Sequence, residues 1–388
     1  MAKNNYPVVL VHGMFGFGQQ QKTNDFLPYF GLWNKDIRKM FNEEMGVHCV
    51  APSVGPFTSA WNRACELYAQ LVGGRVDYGK AHAEKYGHER YGRTYEALLP
   101  EWGTKDADGN VIKVNFIGHS FGGVSARMLT ELLINGSEEE RAVTDPSDLS
   151  PLFKGGQTGL VHSITTLASP HNGMTSVENR QGEVMGQICR VMSDVVNIID
   201  ATPLKKFYDL QLDHYKITPK GIFGFTRAWS DKKICKYFFE NEDNIVYDLT
   251  LKGAKEANEK IATQPDIYYF SFRGKRTIGI LGRQIPSPKA FPILNILGYC
   301  MGTNREAVPD KSWLANDMII NTVSGEAPHN GPRRDAKPNE KSYQPGIWNV
   351  MPVEKKDHMS YCGWMEKEET YAKFYKDIYE RVSNQESL

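Results

Sequence analysis

The serine of the pentapeptide GHSFG, residues 118–122, stands where the apolar run VNFIG ends and the pattern VSARMLTELLING begins. That placement predicts a sharp turn from strand to helix with Ser120 at its corner and its hydroxyl lifted above the sheet. Gly118 and Gly122 remove side chains where strand and helix would collide, and Gly123 lets the helix start close to the strand. A hydroxyl so placed suits nucleophilic attack on a carbonyl, with N–H groups at the helix start facing the developing oxyanion. An earlier segment, VVLVHGMFG at residues 8–16, sets a His-Gly pair after a first strand, where a second oxyanion donor is supplied. Met14 and Phe121 are the expected donors, both through their backbones.

A serine hydroxyl needs a base, and the base needs an acid to fix its tautomer, in the chain order serine, acid, histidine for this arrangement. Only His329 and His358 lie far enough downstream. His329 sits in a Pro-rich stretch, whereas His358 lies in EKKDHMSY shortly after GIWNVMP, so His358 is the expected base. Asp317, in WLANDMIINT, is the expected acid, with Asp335 and Asp357 as competitors. Adjacency alone does not aim Asp357 at the imidazole.

The elements that must carry these groups follow from periodicity. Apolar, β-rich segments recur as YPVVLV, VHCVAPS, IKVNFIG, LVHSITTLAS and IYYFSF, several followed by helical patterns, which predicts an α/β fold with a mostly parallel sheet. Val124, Met128, Leu129, Leu132 and Leu133 fall on one helical face, and Asn135-Gly136 stops that helix. Two insertions, about 61–99 and about 173–219, interrupt a single domain spanning 1–388. In the second, Val184, Ile188, Val191, Val195 and Ile198 form an apolar stripe that suits either a lid or a packed helix. The stretch SGEAPHNGPRRDAKPNEKSYQPG is expected as a long surface loop.

Composition narrows the partners. Over 388 residues, 46 Lys plus Arg balance 46 Asp plus Glu, so no overall field favours nucleic acid. The six cysteines are scattered without a CxxC pair, which argues against a disulfide framework. No run approaches the roughly 20 apolar residues of a membrane span. The opening MAKNNYPVVLVHG enters a strand pattern at once, as in a chain that stays inside the cell or one whose leader has been removed.

Over nearly its whole length the chain resembles the true lipases of staphylococci and thermophilic bacilli, which have the α/β-hydrolase fold. The carriers are VHGMFG, RACELYAQLVGGRVDYGKAHAEKYGHERYGRTYEALLPEW, GHSFGG, SITTLASPHNG, YDLTLKGAKEAN, WLANDMIINT and GIWNVMP with the later Asp-His pair. The resemblance implies a triacylglycerol lipase with Ser120, Asp317 and His358 on the triad positions, a helical lid in the second insertion, a lipid–water interface as partner and secretion. It also implies a structural zinc ion held by the first insertion through His82, His88 and Asp243. The family's fourth ligand is an aspartate, where this chain has Asn62, a weaker and neutral donor. The family's calcium site is expected to be weak or absent, because Ser360 and Met365 stand at its acidic positions and a thioether is no ligand for a hard cation. The alternatives are a carboxylesterase or phospholipase on the same scaffold, metal-dependent hydrolysis through His82 and His88, and, more remotely, a non-catalytic lipid-binding protein.

Overall fold

A computed structural model describes residues 4–178, 207–216, 240–306 and 308–388. Its strands are β1 (Val8–Val11), β2 (Cys49–Val50), β3 (Gly74–Asp77), β4 (Tyr91–Tyr95), β5 (Val114–His119), β6 (Val161–Leu167), β7 (Tyr268–Phe272), β8 (Thr277–Ile280), β9 (Arg283–Pro286), β10 (Arg333–Asp335) and β11 (Trp348–Val350). The helices that matter below are α1 (Ala60–Val72), α2 (Lys80–Tyr86), α3 (Phe121–Asn135), α4 (Glu138–Val143), α5 (Leu251–Lys260), α6 (Asn295–Thr303) and α7 (Glu368–Ser383).

Seven strands form one sheet in the order β10-β11-β7-β6-β5-β1-β2, every neighbouring pair parallel. β6 lies at its centre, and β5 and β1 follow it toward the β2 edge, with Val8 opposite Asn115 and Val11 opposite Gly118. Parallel strands covered on both faces need apolar side chains on both, which is why VVLV reads as a continuous run instead of an alternation. Val9 and Val11 point to the face covered by α1 and α3, sharing a core with Phe116, Leu129, Leu132 and Trp348. Val8 and Leu10 point to the other face, where Ile117, Phe270 and Phe272 meet Tyr375 and Ile378 of α7.

The two insertions fare differently. The first, about 61–99, holds most of α1, the antiparallel ribbon β3–β4 and the short helix α2. Most of the second, including the stripe from Val184 to Ile198, lies outside the described residues. The stretch 324–346, expected as surface loop, supplies the edge strand β10, and Ser324 and Ala327 are buried. Three residues reading Arg-Arg-Asp give no apolar alternation, so pairing with β11 had no signature in the sequence. Among the described residues, no helix is long and apolar enough to cross a membrane.

The tightest packing is at the exit of β5. A Cβ on Gly122 would run into the Val11 carbonyl, one on Gly118 into the backbone of Gly123, and one on Gly13 would lie 2.6 Å from Ser120 Cβ. These contacts are with backbone or with the site itself, so they cannot be relieved by a side chain turning aside. Gly122→Ala is therefore expected to destabilise the fold by about 1–3 kcal/mol or more, read as a lowered urea midpoint, whereas Gly46→Ala, which meets open space, tests the positive-φ cost alone.

Candidate active site and metal cluster

Ser120 occupies φ 54° and ψ −130° between β5 and α3, a conformation an L-residue avoids at a cost of about 1–3 kcal/mol. Its N–H is held by the Leu167 carbonyl at 2.8 Å and its own carbonyl accepts from Gly123 N–H at 3.2 Å, so the corner is pinned from both sides. The Phe121 N–H starts α3 without an acceptor among the described residues, and the Met14 N–H across from it likewise has none. Two unspent donors near one hydroxyl can stabilise an oxyanion.

The residues expected as acid and base come from separate loops. Asp317 follows the 3-10 turn Lys311–Leu314, and its Oδ1 accepts the N–H groups of Ile319 and Ile320 at 3.0 and 2.7 Å. Its Oδ2 lies 3.0 Å from His358 Nδ1, and the two backbones are joined by His358 N–H to Asp317 C=O at 2.9 Å. With Nδ1–H donating to the carboxylate, His358 Nε2 carries the free lone pair. Both side chains are buried. The His358 ring packs 4.6 Å from that of His119, the residue before Ser120, which brings the base to the elbow. No hydrogen bond joins the Ser120 hydroxyl to the imidazole among the described residues; such bonds are often long before substrate binds.

The rival candidates sit elsewhere. Asp357 caps the 3-10 turn His358–Cys362 through Ser360 N–H at 3.0 Å, and its other oxygen accepts Phe291 N–H at 3.2 Å, so its carboxylate is spent on backbone. His329 lies against Trp313 and bonds through its N–H to Asn172, and Asp335 is an exposed residue of β10. Ser360 is buried with its hydroxyl on Asp357, and Met365 is exposed.

Sequence reasoning missed the residues that brace this geometry. The Tyr29 hydroxyl accepts Gly13 N–H at 3.1 Å and reaches His119 Nδ1 at 2.7 Å; it has one proton to give, so it donates to that nitrogen. His119 Nε2–H then donates to the His358 carbonyl at 3.0 Å. One buried chain thus ties the oxyanion loop, the elbow and the histidine loop together. Arg63 of α1 does the same from the other face: its guanidinium donates to the His12 and Gly55 carbonyls and to Ser125 Oγ of α3. Arg63 stood next to Asn62 in the sequence, but nothing in a buried arginine's letter says which carbonyls it will hold.

A second cluster lies in the first insertion. The two carboxylate oxygens of Glu140 cap α2 by accepting the N–H groups of Ala81 and His82 at 3.0 and 2.8 Å, which fixes His82; Gly87 at φ 74° then ends α2 and turns His88 inward. His82 Nε2 is 3.1 Å from Asp243 Oδ1, and His88 Nε2 is 3.3 Å from Asp243 Oδ2. His88 Nδ1 is bonded to the Glu89 carbonyl at 2.8 Å, which leaves its Nε2 deprotonated and open. The Asn62 amide donates to Asp243 Oδ2 at 2.9 Å, and Asn62 Oδ1, His82 Nε2, His88 Nε2 and Asp243 Oδ1 are buried without a hydrogen-bond partner. Orphaned polar atoms of this kind, lone pairs with nothing to accept from, are costly unless something satisfies them. The N-to-O separations match the edge of a tetrahedron around a zinc ion, about 3.3 Å. Of the described residues, only His82, His88 and Asp243 bring three His, Cys, Asp or Glu ligand atoms together.

Comparison with known proteins places this geometry in context. The family model for the lipase-like C-terminal domain matches residues 4–388. The chain is 33% identical to a lipase of Staphylococcus epidermidis over 368 residues, covering 93% of this chain and 50% of that protein. It thus spans about half the length of the curated relatives it matches. Among solved structures it is similar to the Staphylococcus hyicus lipase, with TM-score 0.80 and 31% identity over 98% of this chain and 96% of that one. It is also similar to lipase 1 of Pelosinus fermentans, with TM-score 0.82 and 35% identity over 98% and 99%.

The buried titratable groups set the acid response of the fold. Burial, with the charge of Arg63 adding, pushes His12 down to about 3, and burial pushes His162 down to about 4. His119 and His171 are held well below the ordinary range by burial, with the charges of His358 and Arg127 adding. An unfolded histidine takes up its proton near the ordinary 6.5, so below that pH the unfolded chain binds more protons and stability falls with acidification. Glu66 and Asp248, raised to about 7 by burial, act oppositely, since the fold keeps their protons where the unfolded chain has lost them. His214, pushed down to about 3, and His329 add to these four histidines and Asp357 to the two carboxyls, which leaves the histidines dominant, six groups against three. Urea midpoints are expected to fall as pH drops from about 6.5 to 4.5, by up to about 1.4 kcal/mol per pH unit for each unbalanced proton; a midpoint that rises over that range contradicts the assignment.

Proposed function

The chain belongs to the family of lipase-like C-terminal domains, and from that premise we propose that it hydrolyses the carboxylic ester bonds of acylglycerols through a Ser120, His358 and Asp317 triad. The observation that carries this reading is the strained Ser120 elbow beside a histidine whose Nδ1 is held by a buried, doubly bonded carboxylate. Ser120 Oγ attacks the ester carbonyl while His358 Nε2 takes its proton, and Asp317 stabilises the imidazolium. The N–H groups of Met14 and Phe121 hold the oxyanion. His358 then protonates the leaving alcohol and activates the water that frees the fatty acid. An apolar substrate suits the surroundings, since Met14, Phe15, Phe57, Val124, Ile319 and Ile320 form one apolar cluster around the oxyanion loop. The apolar stripe of the second insertion, which lies outside the described residues, is read from its sequence as a lid, and secretion as the route to the substrate.

His82, His88, Asp243 and Asn62 are read as holders of a zinc ion. Such an ion would neutralise a buried carboxylate and clasp α1, α2 and the segment before α5 to one another. Ester hydrolysis needs nothing more from these residues than that clasp.

Two measurements test these readings. Ser120→Ala is expected to lower hydrolysis of both short and long acyl esters at least about 1000-fold with an unchanged unfolding midpoint, and undiminished turnover removes the nucleophile. A long-chain preference separates a lipase from a carboxylesterase. Asn62→Asp restores a charged oxygen ligand and is expected to raise zinc affinity on the order of tenfold or more in a competition titration with a chromogenic chelator. Equal affinity for the two proteins takes Asn62 out of the ligand set.

A further inference from the structure

β8 and β9 are joined by a two-residue turn at Leu281 and Gly282, whose φ angles are 48° and 73°. Hairpin turns with both central residues at positive φ favour Asn, Asp and Gly, because other side chains clash there with their own backbone. Leu281 is none of these, and it is 94% exposed. A leucine here gives up turn preference and buries nothing, so the fold itself gains nothing from it.

Its surroundings extend the pattern. Ile278 and Ile280 are exposed on β8, and Ile293, Ile296 and Tyr299 are exposed at every third position from the 3-10 turn Pro292–Leu294 into α6. α6 lies directly on β9, since a Cβ on Gly302 would run into the Gln284 carbonyl. Arg305, just beyond α6, donates from Nη2 to the Leu281 and Gly282 carbonyls at 3.2 and 2.8 Å, which fastens the hairpin tip to the helix end. Hairpin and helix therefore present one firm apolar face. Its charge is also distinctive: residues 275–306 contain Lys275, Arg276, Arg283, Lys289 and Arg305 against the single acidic Glu306, in a chain of zero net charge. Arg283 and Lys289 are exposed.

Isolated exposed apolar side chains are ordinary, whereas an apolar face bordered mainly by cations, with Glu306 the one acidic residue lining the hollow between Leu281 and Tyr299, matches the layering of a membrane surface, with acyl chains beneath anionic headgroups. We propose that the β8–β9 hairpin tip and the outer stripe of α6 dock this protein on an anionic lipid surface, Leu281, Ile280 and Ile296 entering the acyl layer and Arg283 and Lys289 meeting the headgroup phosphates. The inference rests on the reading of the chain as a lipid-ester hydrolase for what happens once it is docked. The face is mechanically joined to the acid of that site: Arg276 N–H donates to the Asn316 carbonyl at 2.9 Å, Asn316 N–H donates to Thr277 Oγ1 at 3.3 Å, and Asn316 is the neighbour of Asp317. Docking here sets the catalytic loops against the source of substrate.

The test is flotation of the full chain with vesicles of pure phosphatidylcholine and with equimolar phosphatidylcholine and phosphatidylglycerol. The protein is expected to partition to the anionic vesicles, less so at high salt. Leu281→Asn suits the turn and keeps or raises the melting temperature, and combined with Arg283→Glu it is expected to weaken partition on the order of tenfold. Hydrolysis of a water-soluble short-chain ester by that variant is expected to be unchanged. Undiminished flotation of the variant overturns the proposal, as does a wild-type dimer that the variant breaks without loss of vesicle binding. If no ester is cleaved by either protein the hydrolase reading fails, while flotation still reports on the surface.

Discussion

The constraint on which this structure depends is steric: β5 must turn into α3 within one residue while β1 lies against both. Gly122 faces the Val11 carbonyl, Gly118 faces the backbone of Gly123, and Gly13 faces Ser120 itself. Three elements thus meet with no side chain between them. The serine bears the backbone strain of the corner, and its hydroxyl is delivered on the side of the Met14 and Phe121 N–H groups. Because β1 and β5 are both interior strands with side chains in the cores on both faces, any shift at this corner must disturb both cores.

Around the corner, buried polar groups are used as fasteners. Tyr29, His119 and the His358 carbonyl form one chain on one face, and Arg63 with the His12 and Gly55 carbonyls and Ser125 forms another. Each would be a liability if left unpaired, and each joins loops that the sheet alone does not hold together. That the histidines among them are kept neutral follows from the same burial.

The strands of the central sheet were legible because double-sided burial writes itself as continuous apolar runs, and the elbow was legible because its glycines have a steric task. The choice of His358 over His329 was also available, since His329 stood among prolines; the structure puts it against Trp313 instead. What was not legible has a common cause. β10 and β11 are three residues each, too short for a period, and Tyr29, His119 and Arg63 act through partners brought together from 90 or more residues away in two of the three cases and by a helix turning back on a loop in the third. The grouping of His82, His88 and Asp243 was reached through resemblance alone; their convergence on one point, with orphaned atoms facing it, is visible only in the fold.

Asn62 and Arg63 are consecutive on α1, yet one serves the His82, His88 and Asp243 cluster and the other grips the loop that carries Met14. Because both jobs hang on a single helical register, α1 can neither slide nor rotate to improve one without spoiling the other. Divergence in this stretch is thereby channelled into exchanging one atom for another at a fixed place, and an amide standing where a carboxylate would fit is the kind of change such a lineage can accept.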